Sequence, residues 1–177
     1  KFLKVWFDVL TTKQLLFFEP MIKRIKKNHT VLCTSRDYQQ VTQLAKIRGL
    51  KLKIIGKHGG TKRHDKLNAS LHRSKSLSLR IKQFSPDITV SFCSPEAARV
   101  TYGLGISHIC FSDSPHATAV MRLVLPLVQK LLIPWIIPKK EFTKFGIDSK
   151  DIINYRAIDA AIIAKRRISK NNKTRSK

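Results

Sequence analysis

The chain has 177 residues, 42% of them hydrophobic, and a formal charge of +24 from 35 Lys and Arg against 11 Asp and Glu. That length fits one domain with a buried core, and that hydrophobic content excludes a disordered chain. The charge points to an acidic partner (nucleic acid, anionic membrane or a phosphate-bearing ligand) and says nothing about fold.

Cys33, Cys93 and Cys110 form no C-x-x-C pair and no metal-ligand spacing. Buried free thiols in a reducing compartment are expected. No metal site and no cofactor motif is legible. The opening apolar run is too short for a signal peptide. The longest apolar zone, 120–137, is broken by Arg122, Pro126, Lys130 and Pro134 and makes a poor membrane span. A cytoplasmic location is expected, with peripheral membrane contact left open.

Residues 3–7 are apolar and aromatic and predict a first strand, with Asp8 at its carboxyl end. Asp8 is placed either to meet a ligand or to hydrogen-bond the turn. Residues 10–14 read as a loop, and a helix is expected over 15–27, with Leu15, Phe18, Ile22 and Ile25 on one face. Pro20 should then fall in or near the first turn, because an interior Pro costs ~3 kcal/mol. A strand over 30–34, a helix over 37–48 ended by Gly49, and a strand over 52–55 follow. Within that helix Val41, Leu44, Ala45 and Ile47 are candidates for the inward face.

Residues 56–65, G-K-H-G-G-T-K-R-H-D, form a flexible basic loop. It reads either as a mobile surface loop or as an anion site, and it matches no Walker or G-x-G-x-x-G pattern. A helix over 66–83 carries Leu67, Leu71, Leu77 or Ser78, and Ile81 along its expected inner side. Further strands are predicted over 88–92, 108–111, 131–133 and 152–155, with a short helix over 142–146. The β-α-β-α-β order with short connections predicts an α/β, Rossmann-like parallel sheet with helices on both faces. Residues 157–164 are helix-forming. Residues 165–177 hold seven cations, no acid and one aliphatic, and predict a disordered tail that is either solvated or bound to nucleic acid or anionic lipid.

One construction occurs twice between residues 91 and 122. An apolar run ends in Ser-Pro, and a helix-forming run follows, at Ser94-Pro95 and again at Ser114-Pro115. Ser is a favoured N-cap and Pro suits the first helical position. Each copy predicts strand, tight turn and helix start. In a parallel sheet such turns gather on one rim, where ligands bind. Ser94, Glu96, Asp113, Ser114 and His116 would stand there, either as caps or as ligand contacts.

The phrases K-V-W-F-D-V-L at 4–10, K-Q-L-L-F-F-E-P at 13–20, S-P-E-A-A-R-V at 94–100, D-S-P-H-A at 113–117 and P-W-I-I-P-K at 134–139 together resemble an uncharacterised, largely archaeal family of the GT-B superfamily, domain of unknown function 354. Relatives of that family include UDP-N-acetylglucosamine 2-epimerases and glycosyltransferases. The resemblance covers residues 2–159 and implies the N-terminal domain of a GT-B fold. It implies a second Rossmann-like half that is truncated away or encoded separately, and a basic tail over 160–177. The epimerases carry H-x-E-A-G-x-R where this chain has His116-Ala117-Thr118-Ala119-Val120-Met121-Arg122. His, Ala and Arg match, but the carboxylate position holds Thr118, and an earlier acid position holds Ser94. Those departures count against epimerase activity.

The expected function is therefore the acceptor-side half of a GT-B-type sugar-nucleotide enzyme, glycosyltransferase-like and inactive alone. Its partners would be a separate C-terminal half and a sugar nucleotide or glycan acceptor. Asp8, Asp113 and His116 are the candidate acid–base groups. Lys13, Ser94, Glu96, Ser114 and Arg122 are the candidate ligand contacts. The alternative is a non-catalytic basic module or scaffold that holds nucleic acid or an anionic membrane.

Overall fold

The computed structural model describes residues 1–157, 161, 163 and 164. The expected basic tail and the expected division of the chain at 159 fall, but for three residues, outside them. The described elements are β1 (Lys4–Asp8), α1 (Thr12–Ile25), β2 (Thr30–Asp37), α2 (Gln39–Ile47), β3 (Lys53–Lys57), α3 (Arg63–Phe84), β4 (Ile88–Ser91), α4 (Pro95–Gly103), β5 (Ser107–Phe111), α5 (Thr118–Val124), β6 (Lys130–Pro134), α6 (Lys140–Thr143) and β7 (Ile152–Tyr155).

The strands form one sheet in the order β3-β2-β1-β4-β5-β6-β7. Every pairing is parallel. The chain winds outward from β1 to β3, returns to pair β4 on the other side of β1, and winds away again. The connections after β1 and β4 therefore diverge, and a crevice opens at their carboxyl ends.

Alternation along β1 explains the layers. Val5 and Phe7 pack on one face with Phe17, Phe18 and Ile22 of α1. Trp6 points to the other face, against Leu77 and Ile81 of α3 and Ala97 and Val100 of α4. On the first face Phe7, Phe17, Phe18, Phe92 and Phe111 meet edge to face, with centroids 5.2 to 6.3 Å apart. A third cluster gathers Met121, Val124, Leu131, Ile133, Phe142 and Ile152 around the outer strands.

Several boundaries differ from the expectation, each for a local reason. Helix α1 starts at Thr12 because the Thr11 side chain accepts from the Gln14 N–H and caps it. Pro20 is consequently interior rather than in the first turn. Asp37 belongs to β2, and α2 begins after Tyr38. Ile47 is 80% exposed. Gly49 does follow α2 with φ +65°, a conformation that favours glycine. The inner stripe of α3 is Arg73, Leu77 and Ile81, spaced i, i+4, i+8, whereas Leu67 and Leu71 are more than half exposed.

His108 of β5 is fully buried. Its Nε2 lies 2.9 Å from Ser91 Oγ on β4, and its Nδ1 is buried without a partner among the described residues. Burial pushes its pKa from 6.5 down to about 4. The folded chain therefore refuses a proton that the unfolded chain takes near its ordinary pKa. Stability contributed by the neutral ring is present above about pH 6.5 and falls toward pH 4, by on the order of 3 kcal/mol. Denaturant unfolding across that range should show the loss, and His108→Gln should flatten the slope. An unchanged slope in the variant refutes the assignment.

Candidate functional site

The site is built on the carboxyl end of β1. Asp8 is completely buried and receives four side-chain hydrogen bonds. Arg73 of α3 donates twice, from Nη2 to Oδ1 at 2.6 Å and from Nη1 to Oδ2 at 3.1 Å. Thr34 Oγ1 on β2 donates to Oδ1, and Ser94 Oγ donates to Oδ2, both at 2.6 Å. Trp6 Nε1 donates in turn to Thr34 Oγ1 at 2.7 Å. Arg73 also donates from Nε to the Ile55 carbonyl of β3 at 3.0 Å, and its Nη1 lies 3.4 Å from Glu96 Oε2.

Burial alone would raise the Asp8 pKa, but the Arg73 guanidinium and the hydrogen bonds from Arg73, Ser94 and Thr34 outweigh it and hold the carboxyl below 3.8. Asp8 is thus an ionised anchor. Neither expected role holds: its partners are side chains of α3, β2 and the α4 cap rather than the turn after β1, and it does not line the cleft. Ser94 is likewise buried and caps α4, accepting from the Ala97 N–H at 3.3 Å.

Gly56 has φ +75°, and a Cβ there would stand 3.0 Å from Cβ and Cγ of Arg73. The glycine lets the end of β3 lie against the arginine stem.

Above this anchor lies a cleft of about 380 Å³, lined by Lys13, Gln14, Arg36, Glu96, Asp113 and Ser114 among others. Lys13 and Asp113, 100 residues apart in sequence, form an ion pair at its mouth, partly exposed on both sides. Lys13 Nζ also stands 5.1 Å from the Phe92 ring centroid. Gln14 ties the two rims together. Its Oε1 accepts from the Leu10 N–H at 2.8 Å, and its Nε2 donates to the Phe92 carbonyl at 3.3 Å. Cys93, also in the lining, has φ +52°, and its Sγ lies 3.3 Å from Cys110 Sγ.

The second Ser-Pro unit behaves differently from the first. Ser114 caps no helix. Its hydroxyl donates to Asp113 Oδ1 at 2.8 Å, a turn links Ser114 to Ala117, and α5 begins only at Thr118. The hydroxyl is engaged by the neighbouring carboxylate and cannot serve the helix N–H groups. Of the expected site residues, Lys13, Glu96, Asp113 and Ser114 gather at the cleft, and Asp8 and Ser94 lie beneath it. His116 and Arg122 are exposed and do not line it.

Arg73, Arg36 and Gln14 were not among the expected residues. Arg73 was detectable in principle, because it begins the stripe that Leu77 and Ile81 continue. Arg36 and Gln14 carried no such signal, since both fall in predicted connections, between the strand over 30–34 and the helix over 37–48 and in the loop over 10–14. Among the described residues no cluster of three or more His, Cys, Asp or Glu could hold a metal ion, and no helix is long and apolar enough to cross a membrane.

A seven-stranded parallel sheet with its crevice between β1 and β4 defines a Rossmann-like α/β domain. Residues 3–173 match the family described as protein of unknown function DUF354, and the chain belongs to that family. An uncharacterised protein of Methanocaldococcus jannaschii is 32% identical over 145 residues, which is 81% of this chain and 42% of that protein. The UDP-GlcNAc 2-epimerase of M. jannaschii aligns with a TM-score of 0.68 at 15% identity, over 85% of this chain and 45% of its own. The enzyme from Neisseria meningitidis, solved with UDP-GlcNAc bound, gives 0.68 at 16% identity over 85% and 46%. MurG of Acinetobacter baumannii gives 0.61 at 13% identity over 85% and 45%. At such identities the likeness is one of fold. The chain spans less than half the length of each of these proteins.

Replacing Asp8 by Asn would leave Arg73 buried beside Glu96 alone. The expected cost is about 3–5 kcal/mol. Arg73→Met should also destabilise, and the double variant should lose less than the sum of the singles, because it removes both buried charges together. Urea unfolding of the four proteins measures the coupling, and strict additivity would sink the network as described.

Proposed function

We propose that this chain is the acceptor-side half of a GT-B-type sugar-nucleotide enzyme with glycosyltransferase-like chemistry. A second Rossmann-like half, on the same or a partner polypeptide, would supply the rest of the donor site. The observation that carries the reading is the Lys13–Asp113 pair at the mouth of a cleft on the topological switch point. The pair joins a carboxylate to a partly exposed cation at a rim that solvent reaches, which is the equipment a hydroxyl acceptor requires.

In this reading the acceptor hydroxyl lies against Asp113. As its oxygen bonds to the sugar's anomeric carbon, the bond from that carbon to the nucleoside diphosphate breaks, and the hydroxyl proton passes to Asp113. Lys13 lies against the carboxylate and offsets its charge. Ser114 donates to Asp113 Oδ1 and Lys13 to Oδ2, so an acceptor hydroxyl reaches the carboxylate by displacing the partly exposed lysine. Glu96 and Ser94 belong to the wall and the floor, and Asp8 acts by positioning. His116 and Arg122 belong to the outer rim that a closing second half would meet. The bound UDP-GlcNAc of the Neisseria enzyme supports a sugar nucleotide as the donor class. Thr118 and Ser94, at positions where the epimerases carry acids, favour transfer over epimerisation.

Saturation-transfer NMR of the chain with UDP-sugars and oligosaccharides tests this. Sugar protons should receive saturation, and Asp113→Asn should weaken binding about tenfold, the loss of one charge-assisted hydrogen bond. Lys13→Gln should weaken it similarly. If no sugar receives saturation at millimolar concentration, or if neither variant matters, the proposal is wrong.

A further inference from the structure

Beyond the cleft the rim continues into a second groove of about 340 Å³ on the α3 side. Arg36, Pro95 and Glu96 line both, so the two are contiguous. The second groove adds Lys57 and Lys66, and neither of these forms an ion pair with a described residue. Arg73 reaches this groove too, but its guanidinium is committed to Asp8 and Glu96.

Arg36 is the unsatisfied member. Its Nε is buried and has no hydrogen-bond partner among the described residues. A buried donor left unmade is costly and marks a place where a ligand or water completes the structure. Burial pushes the guanidinium pKa down, Arg73 adds to that, and Glu96 and Asp8 oppose it. Glu96 is the carboxylate of this groove, and it is shared with Arg73. Asp37, in register with Lys57, and Asp65 line the neighbouring hollow together with Lys57 and do not line this groove. Gly59 forms the wall there. A Cβ on it would stand 2.6 Å from the Lys66 Cα, so the loop lies tight against the start of α3.

We propose that Arg36, Lys57 and Lys66 form an oxyanion subsite that holds a phosphoryl or carboxylate group while the rest of the same ligand extends into the Lys13–Asp113 cleft. An arginine fork suits two oxygens at once, and the lysines add compact charges. The identity of the rest of that ligand relies on the sugar-nucleotide reading above, whereas the anion subsite stands on Arg36 and the groove.

Isothermal titration of the chain with inorganic pyrophosphate, and separately with malonate, tests the subsite without any sugar. Wild type should bind at least one of them, and the tighter one tells whether the natural group is phosphoryl or carboxylate. Arg36→Gln and Lys57→Gln, the latter at an exposed residue, should each weaken binding about tenfold or more, with Arg36→Lys in between. Lys46→Gln, at the opposite rim of the sheet, should leave affinity unchanged, which separates the subsite from the general positive charge. Failure of wild type to bind either anion at millimolar concentration, or equal losses in all the variants, would overturn the inference. Pyrophosphate binding that depends on Arg36, in a chain that gives sugars no saturation, would keep the subsite and discard the sugar-nucleotide reading.

Discussion

The buried contact between Asp8 and Arg73 is the constraint on which the ligand-facing end of this molecule depends. It joins β1 to α3 directly, β2 through Thr34, β3 through the Ile55 carbonyl and α4 through Ser94. Every element around the switch point thus reports to one carboxylate. A buried ion pair is weak evidence for stability, because removing two charges from water offsets most of their attraction. Its effect here is geometric. With each oxygen of Asp8 doubly bonded to fixed donors, the strand ends keep one register, and the cleft above them has a rigid floor.

The two ion pairs at this end of the sheet have opposite characters. Asp8–Arg73 is dry and bidentate, with further fixed donors on Asp8 and further fixed acceptors on Arg73. Lys13–Asp113 is wet at the rim, where solvent screening makes it weak and exchangeable. A ligand can compete for the second pair and cannot reach the first. That division of labour explains why Asp8, one of the three acid–base candidates in the sequence, lies buried beneath the cleft.

The departures from simple pattern have the same origin in competition between local and tertiary partners. Ser114 has the sequence context of a helix cap, yet a carboxylate one residue away captures its hydroxyl. Ser94 has a similar context and caps its helix while also serving Asp8. The apolar residues Leu67 and Leu71, in the first half of α3, stay more than half exposed, whereas Leu77 and Ile81 in its second half are fully buried. The stripe that reaches the core is set by Arg73, whose charged end finds Asp8.

The sequence by itself determined the fold class. Apolar runs alternating with amphipathic segments, punctuated by Gly and Pro, leave little choice but parallel strands with helical crossovers. It also placed the candidate polar residues on one rim, since residues at the carboxyl ends of parallel strands collect there. Tertiary structure decided what those residues do. Whether Asp8 meets solvent or a guanidinium depends on a partner 65 residues away. The pairing of Lys13 with Asp113 spans 100 residues. No periodicity within one element encodes such contacts. They arise when the switch in strand order brings separate chain segments to the same crevice, and burial then selects which charges are neutralised and which stay available.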